Sequence, residues 1–374
     1  MSKRKSSHES SDRAAKRPLP SQKQHLYLVV DDWERGYSIR KLDVDAFDTD
    51  GDDADWLPEH FIDLPVARME AVHDSCIDSN FIFGMHPGKA SPAIPAFDTH
   101  TLGLTICPWP ACHGAYMNPF FVSVGGKLFL FTNALAEYLG DPPPPHGSKT
   151  PWSWTTIKAR PPFYTSRIIC YALHPDGRTL FVSAEKQEDG QGTFSFDADR
   201  LEWTRHGDWL LPFAGQAHFD AELDSWVGLC DERDGDGRLC ACDVAPVAAE
   251  FTSQPAWKLG DDRLFRRERQ RLHLGAKLVH IGDGKFCLVQ AMTHEDDARL
   301  LDDEHRPLPR RRLLRMTAFG VKYDKRGELR TTQRRARSCK IYERSHDLWE
   351  PPEPLAGFAY LLERLVQFPH LTKP

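Results

Sequence analysis

Residues 203–213 read Trp-Thr-Arg-His-Gly-Asp-Trp-Leu-Leu-Pro-Phe, and residues 214–229 continue Ala-Gly-Gln-Ala-His-Phe-Asp-Ala-Glu-Leu-Asp-Ser-Trp-Val-Gly-Leu. Short apolar runs are broken here by polar turns, the pattern of strands that end and restart every few residues. The first phrase closes one short-stranded β-unit and the second opens the next. Upstream, residues 167–173, 178–183, 192–197 and 201–205 are joined by Pro-Asp-Gly and Asp-Ala-Asp turns, which predicts an antiparallel meander of up to four strands. Downstream, residues 217–220, 225–230, 237–244 and Trp257 repeat that order.

The pattern extends in both directions. Residues 25–30 and 37–44 flank Trp33-Glu-Arg-Gly as a hairpin, and residues 76–84, 96–104 and 108–110 suggest a second unit. Residues 120–124 and 127–131 flank Gly125-Gly126, a pair suited to the positive backbone angles of a tight turn. Residues 274–280, 285–290 and 313–323 form a last unit, interrupted by a highly charged insertion at 292–312. Units spaced by about 40 to 50 residues predict an all-β fold, a six-bladed β-propeller over residues 25–345. The Asp-rich stretch 43–55 and the proline-rich stretch 141–150 read as loops. Residues 355–366 space their apolar positions for one face of a short helix, expected within a C-terminal extension, residues 346–374.

Residues 1–24 lack anchoring apolar side chains and read as a disordered tail. Lys3, Arg4 and Lys5, then Lys16 and Arg17, form two basic clusters resembling a bipartite nuclear-import signal; an ordinary solvated tail is the alternative. Localisation in the nucleus, the cytoplasm or both is the expectation. The chain has 48 basic and 54 acidic residues, a net charge of −6, so bulk charge does not single out a nucleic-acid binder. Nine cysteines sit mostly in apolar runs, which fits buried thiols in an intracellular protein better than a secreted disulfide scaffold. No stretch approaches the roughly 20 apolar residues of a membrane helix, and no membrane association is expected.

Chemical motifs are weak. Cys107, Cys112 and His113 carry zinc-ligand chemistry but lack a fourth ligand, and Cys240 with Cys242 can share one strand face through core packing, so no metal site is expected. The run 231–237, Asp-Glu-Arg-Asp-Gly-Asp-Gly, suits calcium by composition but suits an exposed hairpin loop better. His206, Asp208 and His218 could form an acid–base cluster, although no nucleophile accompanies them, and a place at a unit junction is favoured. Phosphate-loop and dinucleotide motifs are absent, and no cofactor is expected. Basic runs at 266–271, 310–312 and 334–337 could face phosphates if folding brings the last two together; solvated loops are the favoured reading.

The phrases Ala96-Phe-Asp-Thr-His-Thr-Leu, Thr193-Phe-Ser-Phe-Asp-Ala-Asp-Arg-Leu-Glu-Trp and Phe219-Asp-Ala-Glu-Leu-Asp-Ser-Trp-Val-Gly-Leu resemble a large family of kelch-like, F-box-associated-type propellers of unknown function in grasses. The resemblance runs from His25 to Tyr342. Asp197 with Trp203 fits the family's aspartate-plus-tryptophan pattern, and Asp224 with Trp226 fits it more loosely. The paired-glycine signature is missing from most units, Gly125-Gly126 being a local match, and no F-box precedes the first unit. The resemblance implies a plant intracellular propeller and carries over no catalytic residue. The expected function is a non-catalytic protein-interaction scaffold whose loops meet an unidentified protein partner, with Trp33, His113, Trp154, His174 and Arg233 as the candidate surface. The alternatives are a small-molecule-binding or hydrolytic propeller enzyme, or a nucleic-acid-associated module.

Overall fold

The computed structural model describes residues 25–33, 36–49, 62, 64–70, 73–78, 80–86, 93–111, 119–141, 152–185, 191–231, 237–247, 253–265, 273–293, 311–342 and 358–361. Those residues are almost entirely strand. Strands β1 (His25–Trp33), β2 (Gly36–Asp43) and β4 (Ala67–Glu70) form a sheet with the last strand, β25 (Phe358–Leu361), in the order β25-β1-β2-β4. A second sheet runs β5 (His73–Asp78), β6 (Phe81–His86), β7 (Ile94–Asp98), β8 (Leu104–Cys107). A third runs β9 (Phe120–Val124), β10 (Lys127–Phe131), β11 (Ala136–Leu139), β12 (Trp154–Ile157).

Two further meanders follow: β13 (Ile168–Leu173), β14 (Thr179–Glu185), β15 (Gln191–Asp197), β16 (Glu202–Gly207), and then β17 (Gly215–Asp220), β18 (Ser225–Leu229), β19 (Arg238–Asp243), β20 (Trp257–Arg263). Parallel pairing of Cys170, Tyr171 and Ala172 with Gly215, Gln216 and Ala217 fuses them into one eight-stranded sheet. The last sheet comprises β21 (His273–Gly282), β22 (Lys285–Thr293), β23 (Arg311–Tyr323), β24 (Leu329–Tyr342) and the two-residue β3 (Asp48–Thr49).

The turns obey local chemistry. Gly125 and Gly126 connect β9 to β10 at φ 59° and 72°, where a side chain would be strained. Aspartates close several hairpins through their own downstream amides: Asp98 accepts from His100, Asp176 from Arg178 and Thr179, Asp197 from Asp199 and Arg200, and Asp324 from Arg326 and Glu328. A carboxylate that satisfies turn amides makes each reversal self-sufficient.

Alternation along a strand feeds two different cores, because successive side chains leave opposite faces. On β1, Leu26, Leu28 and Val30 pack with Val279, Leu314 and Met316, whereas Tyr27 and Val29 pack with Ile82 and Phe97. On β10, Leu128 and Leu130 join Phe83 and Ile94, while Phe129 and Phe131 meet Leu180 and Phe196. Indoles tie neighbouring meanders together: Trp226 is fully buried and its Nε1–H donates to the Leu173 carbonyl at 2.9 Å, and Trp203 Nε1–H donates to the Ala159 carbonyl at 2.9 Å.

Two expectations are corrected. The strands make five open sheets of four, four, eight, five and four strands, none closed on itself, and not the six separate blades of a kelch-like propeller. The fusion of β13 to β17 is responsible, since hairpin patterning specifies which face a strand buries but not every neighbour it pairs with. The described part of the expected C-terminal helix is strand β25, whose Phe358–Leu361 backbone pairs with Leu26–Val29. That pairing covers the otherwise open edge of β1. Among the described residues the helical elements are two three-residue 3₁₀ turns, Val44–Ala46 and Thr165–Arg167, and no helix is long and apolar enough to cross a membrane.

Candidate functional site

The five residues expected to form an interaction surface are not gathered by the described structure. Trp33 ends β1, its backbone paired with Gly36. Trp154 lies on β12, half-buried, and its Nε1–H donates to the Pro108 carbonyl at 2.9 Å as a bracket between the second and third sheets. His174 sits in the β13–β14 turn, where its Nδ1 accepts the Asp176 amide at 3.2 Å. His113 and Arg233, like the import clusters Lys3, Arg4, Lys5, Lys16 and Arg17, lie outside the described residues. So do Cys112, the basic run 266–271 and all of the acidic run 231–237 except its two ends.

The sulfur and histidine motifs resolve into packing. Cys107 is buried, its thiol donates to the Pro108 carbonyl at 3.5 Å, and burial pushes its pKa up to about 12. Cys240 and Cys242 are buried in the core between the two fused meanders. Among the described residues no three His, Cys, Asp or Glu side chains are placed to hold a metal. His206, Asp208 and His218 take three separate sets of partners. His206 Nε2 meets Ser195 Oγ at 2.8 Å in the core, Asp208 pairs with Arg205 at the surface, and His218 Nε2 donates to the Leu278 carbonyl at 3.0 Å.

Sequence reading missed the aspartate–histidine contact that does form. Asp220 Oδ2 accepts from His280 Nε2 at 3.1 Å and from the Gly284 amide at 3.1 Å, while its Oδ1 accepts from the amides of Glu222 and Leu223. Burial raises the Asp220 pKa, but the bonds from His280 and these amides outweigh it and hold the carboxyl below its usual range. Asp220 and His280 are 60 residues apart, so nothing in the local pattern announces them. Their role is a clamp between the β17–β18 and β21–β22 turns.

Folding places the described arginines of the two runs, Arg311 and Arg312 and residues 334–337, on adjacent paired strands. Strand β23 carries Arg311, Arg312, Arg315 and Lys322, strand β24 carries Arg330, Arg334, Arg335, Arg337 and Lys340, and neither strand contains an acidic residue. Their antiparallel register sets Arg312 opposite Ile341, Leu313 opposite Lys340, Arg315 opposite Ser338, Met316 opposite Arg337 and Ala318 opposite Arg335. Two basic residues of β23 and three of β24 therefore fall within one seven-residue span of the pair, about 20 Å at strand rise, with Arg315 and Lys340 on one face and Arg312, Arg335 and Arg337 on the other.

The two ends of the pair differ in exposure and in the partners shown. Toward the β23–β24 turn, Arg330 meets Asp261 at 2.6 Å and Asp324 at 3.5 Å, and Arg334 approaches Asp262 at 4.0 Å. Toward the other end, Arg335 is exposed and donates to the Asp45 carbonyl at 3.2 Å, Arg315, Arg337 and Lys340 are half-buried, and Arg312 is buried. The rung Lys277, Val289, Met316, Arg337 places a further basic residue in the same sheet, on β21. Burial pushes the Lys277 amine well below its usual pKa.

A family model described as "Protein of unknown function (DUF1668)" matches residues 23–340. No curated protein matches the sequence. Among solved structures the chain is similar to a putative 6-phosphogluconolactonase from Bacteroides uniformis, at 13% identity over 84% of this chain and 83% of that one, with a TM-score of 0.41. A second putative 6-phosphogluconolactonase, from Bacteroides fragilis, gives 11% identity over 88% and 98% with a TM-score of 0.38. Kuenenia stuttgartiensis hydrazine synthase gives 10% identity over 68% of this chain and 63% of that one, with a TM-score of 0.34.

These findings correct further expectations. The matching family carries a description of unknown function and no kelch or plant character, which removes the kelch-like resemblance and the plant setting attached to it. The similar structures are titled as lactonases and a synthase and not as interaction scaffolds, so the expectation of a non-catalytic scaffold is set aside. At these TM-scores no activity passes to this chain in its place.

Proposed function

This chain belongs to the DUF1668 family of proteins of unknown function, and for it we propose nucleic-acid binding through the phosphate backbone along the β23–β24 pair. The carrying observation is the segregation of nine basic and no acidic residues onto the two longest strands of a chain whose net charge is −6. Guanidinium forks suit phosphate oxygens, and seven of the nine cations are arginines. The contact surface is the outer edge of β24 away from the β23–β24 turn, where Arg335 and Arg337 lie on one face and Lys340 on the other, with Arg335 exposed.

The mode of contact follows from topology. Strand β23 is flanked by β22, and β24 is partly covered by β3, so the pair is embedded in a sheet and does not form a free ribbon that could enter a major groove. It contacts the polyanion from outside, which fixes position without reading base edges. The import-like clusters at Lys3–Lys5 and Lys16–Arg17 belong to the same proposal as a route to nuclear nucleic acid, and a reporter fusion confined to the cytoplasm would remove that part.

Fluorescence anisotropy with a labelled 20-base-pair duplex at 50–200 mM salt tests the reading. Affinity should fall linearly on a log–log plot against salt, and replacing Arg335, Arg337 and Lys340 by alanine should flatten the slope by about 0.9 for each phosphate that is no longer neutralised. Binding that ignores salt, or a triple variant that binds like the parent, refutes the proposal.

A further inference from the structure

Strand β8 is the outer edge of its sheet, a four-residue strand with no charged side chain and no proline within it. Leu104 is 58% exposed and Ile106 is 66% exposed on one face of β8, beside Leu102 at 48%. Leu102 is also held at φ 57°, a backbone region disfavoured for a branched side chain. Of the six exposed large hydrophobic residues among those described, five fall in two segments: Leu64 and Val66 just before β4, and Leu102, Leu104 and Ile106 at β8. Both segments adjoin β7, which pairs with β8 and packs near β4.

The charge pattern identifies the occupant. From Thr101 to Gly126 there is no Asp, Glu, Lys or Arg, in a chain in which 27% of residues are charged. A partner that adds a strand here meets no counter-charge and buries Leu104 and Ile106 best with an extended segment that has apolar side chains at alternate positions. This chain carries such a segment at the required edge, and two copies meeting there bring no like charges together although each has a net charge of −6. We propose that β8 pairs antiparallel with β8 of a second copy about a two-fold axis at Thr105, forming a homodimer. Thr105 then opposes its own copy and Leu104 opposes Ile106 of the partner, so four aliphatic side chains share one face. The contact is isologous and closes without propagating.

Sedimentation velocity over a hundredfold range of protein concentration reads the dimer. The unmodified protein should show a reversible monomer–dimer equilibrium, and Ile106→Lys, at an exposed position that the fold tolerates, should raise the dissociation constant at least tenfold with unchanged thermal unfolding. As an independent readout, Thr105→Cys should give a disulfide-linked dimer under mild oxidation where the unmodified protein gives none. A monomer at every concentration, a dimer indifferent to Ile106→Lys, or a Thr105→Cys protein that does not cross-link overturns the proposal.

Discussion

Strands β8 and β24 lie at or near the outer edges of their sheets and treat exposure in opposite ways. Strand β24 carries Arg330, Arg334, Arg335, Arg337 and Lys340, and only two of its residues pair with β3. Strand β8 carries no charge and leaves Leu104 and Ile106 in solvent. A charged edge resists pairing with other strands and attracts polyanions; a neutral apolar edge does the reverse. The contrast assigns the two strands to different partners on the same frame.

The largest effect should come from removing that frame. Trp226→Ala deletes a fully buried indole and its bond to the Leu173 carbonyl between the fused meanders, and should cost about 3–5 kcal/mol. Denaturant unfolding measures the cost, and nucleic-acid binding and self-association should fail together at the same denaturant concentration. Next, Arg335→Glu with Lys340→Glu reverses charge on β24 alone. Duplex affinity should fall about a hundredfold at low salt, equivalent to about 2.7 kcal/mol, while sedimentation of the dimer is unchanged. Loss of both properties would break the separation of the two strands.

Asp220→Asn probes the sheet that carries β24 through its clamp to the β21–β22 turn. The Asp220 pKa is lowered in the folded state, so its stabilisation is present above the unfolded carboxylate value of about 3.9 and is lost as pH falls through the lower folded value. The substitution should destabilise the protein by about 2 kcal/mol at pH 7, with the gap to the parent closing in acid. Unfolding curves at pH 7 and pH 3 check this; an equal gap at both would contradict it. The smallest effect is the tenfold loss of self-association in Ile106→Lys, which should leave duplex affinity per protomer unchanged by anisotropy.

Much of the local architecture was legible because turn chemistry is local. Gly125-Gly126 and the Pro-Asp-Gly at 175–177 announced their hairpins, and the structure places positive φ at both glycines of the first and at Gly177. Partner choice was not legible. Nothing in Cys170–Ala172 specifies a parallel neighbour at Gly215–Ala217, and the helical spacing of residues 355–366 gave no warning of a strand that completes β1. Proximity in sequence misled at His206, Asp208 and His218, which occupy successive strands or turns but bond to Ser195, Arg205 and Leu278. The arginine runs were visible as runs. Their alignment required a long hairpin with a register shift between Ala318 and Gly320, which composition does not encode.

The most direct test measures duplex binding by anisotropy against salt for the parent, for Arg335→Glu with Lys340→Glu, and for Ile106→Lys. Tight, steeply salt-dependent binding that collapses only in the β24 variant is the predicted result. A parent that does not bind at 50 mM salt, or equal binding by all three proteins, would contradict the assignment of β23–β24 as the nucleic-acid surface.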